Sequence, residues 1–178
     1  MLKSVLNQDV AVNGVNFNSI FSKVKFYLLN PSWRFIDKRS KYEHYANSNN
    51  LFCKIYAKYL FISYKREGLH LGFSIPPFVS GQGLSLLHYG TLVISKLARI
   101  GKNAGIHVCV NIGAHEEFAP IIGDNVYIAS GVKMYGKIVI GNNVKIAANS
   151  VVNKSLPEDN VVIGGMPVKV LKKLNDNV

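Results

Sequence analysis

The sequence predicts a mainly β protein: a parallel β-solenoid over residues 71–178, preceded by a short helical region over residues 1–70. Two observations carry this division. Residues 71–178 repeat with a period of six, and self-similarity at a fixed period marks a chain that coils upon itself. Residues 1–70 instead carry apolar stripes at helical spacing, interrupted by proline, asparagine and glycine. Charge separates the two parts as well. Residues 1–70 hold 11 basic and 4 acidic residues, whereas residues 71–178 hold 10 and 6.

The helical region reads in order. Phe17, Ile20, Phe21, Val24 and Leu28 form one stripe of a helix over Phe17–Leu29. Pro31 ends it, and Ser32 is a candidate cap for a second helix over Ser32–Ala46. Asn47-Ser-Asn-Asn is a break. Leu51, Ile55, Lys58 or Tyr59, and Ile62 share one face of a third helix over Leu51–Lys65, which Gly68 is expected to end.

The solenoid reads in sixes. Ile100, Ile106, Ile112, Ile122, Ile128, Met134, Ile140, Ile146 and Val152 each open a unit. A second, mostly apolar residue follows four later, at Ala104, Val110, Val126, Val132, Ile138 and Val144, with Ser150 the exception. Backwards, Ile94 keeps the opening phase, His88 falls on it, and Leu92 and Leu86 keep the second position. One short strand and one corner make one side of a triangular coil. Three units make an 18-residue coil, and coils stack at about 4.8 Å. The corners need residues that tolerate positive φ, which Gly-Asp-Asn, Gly-Asn-Asn and Ala-Ser-Gly supply. The repeat is interrupted once, by Ala114–Ile121 (AHEEFAPI), and a loop protruding from a regular scaffold is a common place for function. Gly164-Gly165-Met166-Pro167-Val168-Lys169 ends the solenoid, and the tail VKVLKKLNDNV is expected to form a capping helix over its open edge.

Composition excludes several classes. With 48% apolar and 17% charged residues the chain can build a core. Two cysteines, Cys53 and Cys109, make no disulfide framework and fit a reducing compartment. No cysteine or histidine spacing suggests a metal site. The N-terminal MLKSVLNQDVAVNG has no apolar run of the signal-peptide kind, and LFCKIYAKYLFISY is too short to span a bilayer. The expectation is a cytoplasmic protein. The net charge of +11 implies an anionic partner. No recognition motif points to nucleic acid, and the basic helices leave contact with an anionic membrane surface open. Gly81-Gln-Gly83 lacks the rest of a dinucleotide fingerprint.

The hexapeptide pattern resembles the left-handed parallel β-helix acyltransferases. The run Gly83-Leu-Ser-Leu-Leu-His88-Tyr-Gly-Thr, then IGKNAGIHVCVNIG, PIIGDNVYIASGVKMYGKIVIGNNVKIAANSVVNKSLP and IGGMPVKVL, is similar to serine acetyltransferase and its shorter relatives among surface-polysaccharide genes. The left hand of the coil comes from this resemblance. So do acetyl-CoA as co-substrate, a homotrimer with sites between subunits, and His88 as general base. A hydroxyl acceptor needs a group to take its proton, and an imidazole, titrating near about pH 6.5, suits that task. The resemblance places the pantetheine arm and the thioester at Gly113, Ala114, Ser130 and Ala148. Asn153, Lys154, Lys169 and Lys172 lie toward the nucleotide phosphates. Tyr89, His115 and Glu116 are candidates for the acceptor side.

The chain departs from serine acetyltransferases at three places. Ser74 stands where an aspartate orients the base, Leu87 where an acidic residue often precedes it, and Phe118-Ala119 where Arg-His binds the serine carboxylate. These absences favour a saccharide hydroxyl as acceptor, in surface-polysaccharide synthesis. Serine O-acetylation in cysteine biosynthesis is the alternative, and a non-catalytic scaffold is an alternative of another class.

Overall fold

The computed structural model describes residues 19–174. Phe17 and the N-terminal segment discussed above lie outside them. The first helix, α1 (Ile20–Leu29), starts at Ser19, whose hydroxyl accepts from Ser22 N–H at 3.1 Å in a capping box. Asn30 ends α1 and also precedes α2 (Pro31–Ala46). The expected start at Ser32 is therefore corrected. Proline lacks an N–H and has a helix-compatible φ, so it fits the first turn and the helix begins with it. Asn50 caps α3 (Leu51–Leu71), accepting from Phe52 N–H at 2.8 Å.

Gly68 does not end α3. Gly72 does, in the left-handed region at φ 77°. Gly68 lies inside the helix because there is no room for a side chain there. A Cβ would sit 2.8 Å from the Phe73 carbonyl oxygen and 3.0 Å from the Phe35 ring. The core face of α3 is also not the one its aliphatic stripe suggests. Ala57, Leu60 and Tyr64 are buried with Gly68, while Leu51, Ile55 and Ile62 are exposed, as are Ile20, Phe21, Val24 and Leu28 of α1. Phe35 of α2 decides this: its ring meets Tyr64 at 5.8 Å and Phe73 at 5.3 Å. That joins helices and solenoid into one core. Glu67 fastens α2 to α3 through Arg34 at 2.8 Å and Lys38 at 2.6 Å. Burial alone would raise its carboxyl pKa, but the hydrogen bonds from Lys38 and Arg34 outweigh that and hold it below the ordinary value.

The solenoid strands are short. They are β1 (Phe73–Ser74), β2 (Ser85–Leu86), β3 (Leu92–Ile94), β4 (Arg99–Ile100), β5 (Gly105–Ile106), β6 (Val110–Gly113) and β7 (Ile121–Ile122). There follow β8 (Tyr127–Ile128), β9 (Lys133–Tyr135), β10 (Val139–Ile140), β11 (Lys145–Ile146), β12 (Val151–Val152), β13 (Val161–Gly164) and β14 (Lys169–Lys173). They form three sheets, β1-β3-β6-β9-β12, β4-β7-β10 and β2-β5-β8-β11-β13-β14. All pairings except β13 with β14 are parallel. The result is a β-solenoid of about five turns, consistent with the left-handed β-helix of the resemblance.

Each opening residue stacks on its counterpart one coil away. Ile106 pairs with Ile128 and Ile128 with Ile146, all three fully buried. Ser150, the exception at the second position, is also buried. Its hydroxyl donates to the Ala147 carbonyl at 2.6 Å and accepts from Gly165 N–H at 3.1 Å, so its polarity is satisfied. One corner is a ladder of asparagines. Asn103, Asn125, Asn143 and Asn160 all have φ between 54° and 57°, and three amide bonds of 2.9 Å run up the stack. Gly123 beside this ladder is required by close approach: a Cβ would lie 2.6 Å from both Asn142 Oδ1 and the Gly141 carbonyl oxygen.

The C-terminal tail is a second correction. In place of a capping helix the chain folds back after Gly165, and β14 pairs antiparallel with β13. The last coil leaves a row of unpaired backbone donors and acceptors, which a strand satisfies and a helix does not. Residues 175–178 lie outside the described ones.

Candidate active site

The predicted site residues fall on two different edges of the prism. The first edge follows the sheet of Leu86, Ile106, Ile128 and Ile146. It carries His88 and Tyr89, then His107, Ser130 and Ala148 in successive coils. The second edge follows the sheet of Ile94, Ile112, Met134 and Val152. It carries Gly113, Ala114, His115 and Glu116, then Asn153 and Lys154. Lys169 and Lys172 are exposed on β14. One chain thus does not bring all of these residues together.

The strand pairing corrects the phase at His88. Leu86, not His88, stacks on Ile106 and is buried. From Ile106 to Ile112 the chain takes six residues, but from Leu86 to Ile94 it takes eight. The two extra residues widen the corner, and Leu87, His88 and Tyr89 all stand exposed on it. His88 therefore does not occupy a core slot. It projects from the one corner of this edge that is longer than its neighbours.

A cleft of about 360 Å³ opens beside this corner. His88 and Tyr89 line one wall, and Phe26, Leu29, Asn30 and Trp33 from the α1–α2 junction line the other. Arg34 holds that junction in place, its guanidinium donating to the carbonyls of Tyr27 at 3.1 Å and Leu28 at 2.6 Å.

Sequence reasoning missed His107. Its ring lies 5.8 Å from that of His88, and its Nε2 is 2.5 Å from the Tyr127 hydroxyl. Tyr127 reaches it across Gly105, the partner of Tyr127 in the sheet. The signal was present: the residue after the opener is histidine here, but Ala129 and Ala147 in the next two coils.

The second edge repeats the arrangement. Tyr135 lies over its partner Gly113, where a Cβ would meet the ring at 2.8 Å, and its ring meets His115 edge-on at 5.5 Å. The insertion is a tight turn folded on the coil. His115 N–H donates to Phe118 O at 2.8 Å, and Phe118 N–H to His115 O at 3.0 Å. Glu116 sits at its tip with φ 53°. Lys137 lies 4.9 Å above the Phe118 ring. Among the described residues no group of three His, Cys, Asp or Glu is arranged to hold a metal ion, and no helix is long and apolar enough to cross a membrane.

Comparison with known proteins agrees with the repeat. Residues 119–154 match the bacterial transferase hexapeptide (six repeats). A serine acetyltransferase of Staphylococcus xylosus is 40% identical over 97 residues, which cover 52% of this chain and 44% of that protein. The matching region is therefore less than half the length of that curated relative. The serine acetyltransferase structure from Brucella abortus strain S19 superposes with a TM-score of 0.71 at 25% identity, covering 97% of this chain and 70% of that one. That of the Neisseria gonorrhoeae enzyme in complex with serine gives 0.70 at 26%, covering 96% and 69%.

Repeat, fold and site define the class: the chain resembles the hexapeptide-repeat acyltransferases. Within that class it is similar to the serine acetyltransferase-like subgroup. The saccharide acceptor and the place in polysaccharide synthesis expected from the sequence are corrected by these findings, since the relatives are serine acetyltransferases. The absent Arg-His pair removes one way of holding a carboxylate. It does not remove others, because donors that converge in space need not stand together in sequence.

Proposed function

We propose that the protein is an acetyl-CoA-dependent O-acetyltransferase whose acceptor is the hydroxyl of serine. The observation that carries the reading is the exposed His88 at the wall of a cleft, in a chain similar to a serine acetyltransferase over 97 residues. In this reading serine enters the cleft between the α1–α2 junction and the widened corner. His88 takes the hydroxyl proton as the oxygen attacks the thioester carbonyl carbon. The C–S bond then breaks, and His88 returns the proton to the sulfur of CoA. The products are O-acetylserine and CoA. Backbone N–H groups at Gly113 or Ala114 would meet the oxyanion.

The split between two edges supports a homotrimer. In a three-fold assembly of prisms, the His88 edge of one protomer can face the Gly113–Lys154 edge of the next, completing a site that neither has alone. Such an assembly also offers cover for the exposed stripes of α1 and α3. The division into residues 1–70 and 71–178 belongs to this proposal: the helices shape the acceptor cleft and the solenoid carries the acetyl-CoA groove.

The test is release of CoA thiol at fixed acetyl-CoA with increasing L-serine. Saturable, serine-dependent release supports the reading, and release that ignores serine contradicts it. The cofactor side has its own test. Lys154→Glu and Lys169→Glu place an anion near the expected phosphates. Each should raise the KM for acetyl-CoA while leaving the thermal midpoint unchanged, since both lysines are exposed. An unchanged KM in both variants would place the nucleotide elsewhere.

A further inference from the structure

An exposed imidazole turns freely about two side-chain bonds, so a base on a widened surface corner needs something to hold its ring. No carboxylate stands near it at Ser74 or Leu87. Among the described residues the ring contact of His88 is with His107, at 5.8 Å and a tilt of 54°. His107 is itself held. The Tyr127 ring meets it edge-on at 5.2 Å, and the Tyr127 hydroxyl is 2.5 Å from Nε2. Tyr127 is anchored in turn by its place in β8, paired to Gly105 on one side and Lys145 on the other. The array runs from a fixed strand to the exposed corner. At the same place in the next two coils stand Ala129 and Ala147, so corner geometry alone requires no ring there.

We propose that His107, locked by Tyr127, is the positioning residue for His88. This rests on the reading of His88 as the base. The bond between the Tyr127 hydroxyl and Nε2 holds the His107 ring whichever of the two donates, and the ring cannot flip without breaking it. His107 then presents a fixed face against which the His88 ring rests, leaving its basic nitrogen turned to the acceptor. A residue of this kind touches neither substrate, and its effect passes through His88 alone.

That last property makes the inference testable by a double-mutant cycle. Turnover with L-serine is measured for the wild type, His107→Ala, His88→Ala and the double variant. His107→Ala should lower kcat by roughly 10–100-fold, the cost of a misplaced catalytic group, with the KM for acetyl-CoA unchanged. In the His88→Ala background the same substitution should cause no further loss. Tyr127→Phe, which keeps the ring and removes only the hydroxyl, should lower kcat in the same direction and likewise lose its effect without His88. It decides the matter if His107→Ala fails to fold. Equal losses in both backgrounds would show that His107 acts independently and overturn the inference. So would full activity of His107→Ala and Tyr127→Phe beside an inactive His88→Ala. An active His88→Ala would instead overturn the reading of the base.

Discussion

Replacing His88 by alanine should lower kcat by roughly two to four orders of magnitude, the usual contribution of a positioned general base. Acetyl-CoA binding should hardly change, because His88 lines the cleft proposed for the acceptor while the lysines expected at the phosphates lie elsewhere on the solenoid. Stability should hardly change either, because the side chain is exposed and the core slot of its corner belongs to Leu86. Initial rates and the KM for acetyl-CoA, set beside thermal unfolding of both proteins, check all three statements. Activity above a tenth of the wild type would mean that another group takes the proton.

The second large effect is on stability. Ile128 is fully buried between Ile106 and Ile146 in the stack that runs the length of the longest sheet. Ile128→Ala removes its contacts with both neighbours and leaves a cavity that a rigid solenoid cannot close by sliding. The expected cost is about 2–5 kcal/mol. At equal protein concentration that lowers the thermal midpoint by roughly 5–15 °C for a chain of this size. A shift within about 2 °C would mean that the stack carries far less than its burial implies.

Much of the fold was legible because a six-residue period leaves little freedom. Nine openers in phase place the coil interior, and the structure buries all nine in parallel stacks. Backward extension of the same count failed at the first irregularity. Counting by sixes from Ile94 lands on His88, but the corner there is two residues longer, and the strand slot belongs to Leu86. Such an extension does not announce itself when the residues two positions apart are Leu86 and His88 and either fits some place in the pattern. Gly68 misled for a related reason. A glycine late in a helix reads as a stop signal, and only the Phe73 carbonyl against it shows that space, not φ, is what it supplies.

The helical stripes were visible, but not which face of α3 would find the core. That was set by Phe35 on another helix, 29 residues from Tyr64 in sequence. In the tail, VKVLKK carries both helical and alternating character. The unpaired edge of β13 decided for a strand, and an edge is a property of the folded coil. The site shows the same limits. His88 was a candidate from its segment, and its role as base is a proposal, whereas His107 was no candidate. Its meaning lies in stacking between coils, where residues some twenty apart in sequence become neighbours. The acceptor was misread from missing residues, and the similarity to serine acetyltransferases over 97 residues corrected it.

The most direct test of the account is identification of the product formed from labelled acetyl-CoA and L-serine. Acetyl-labelled O-acetyl-L-serine should accumulate in step with free CoA in the wild type and be lost in His88→Ala. Labelled acetate in its place, or CoA release no faster with L-serine than without it, would contradict the assignment of serine as the acceptor.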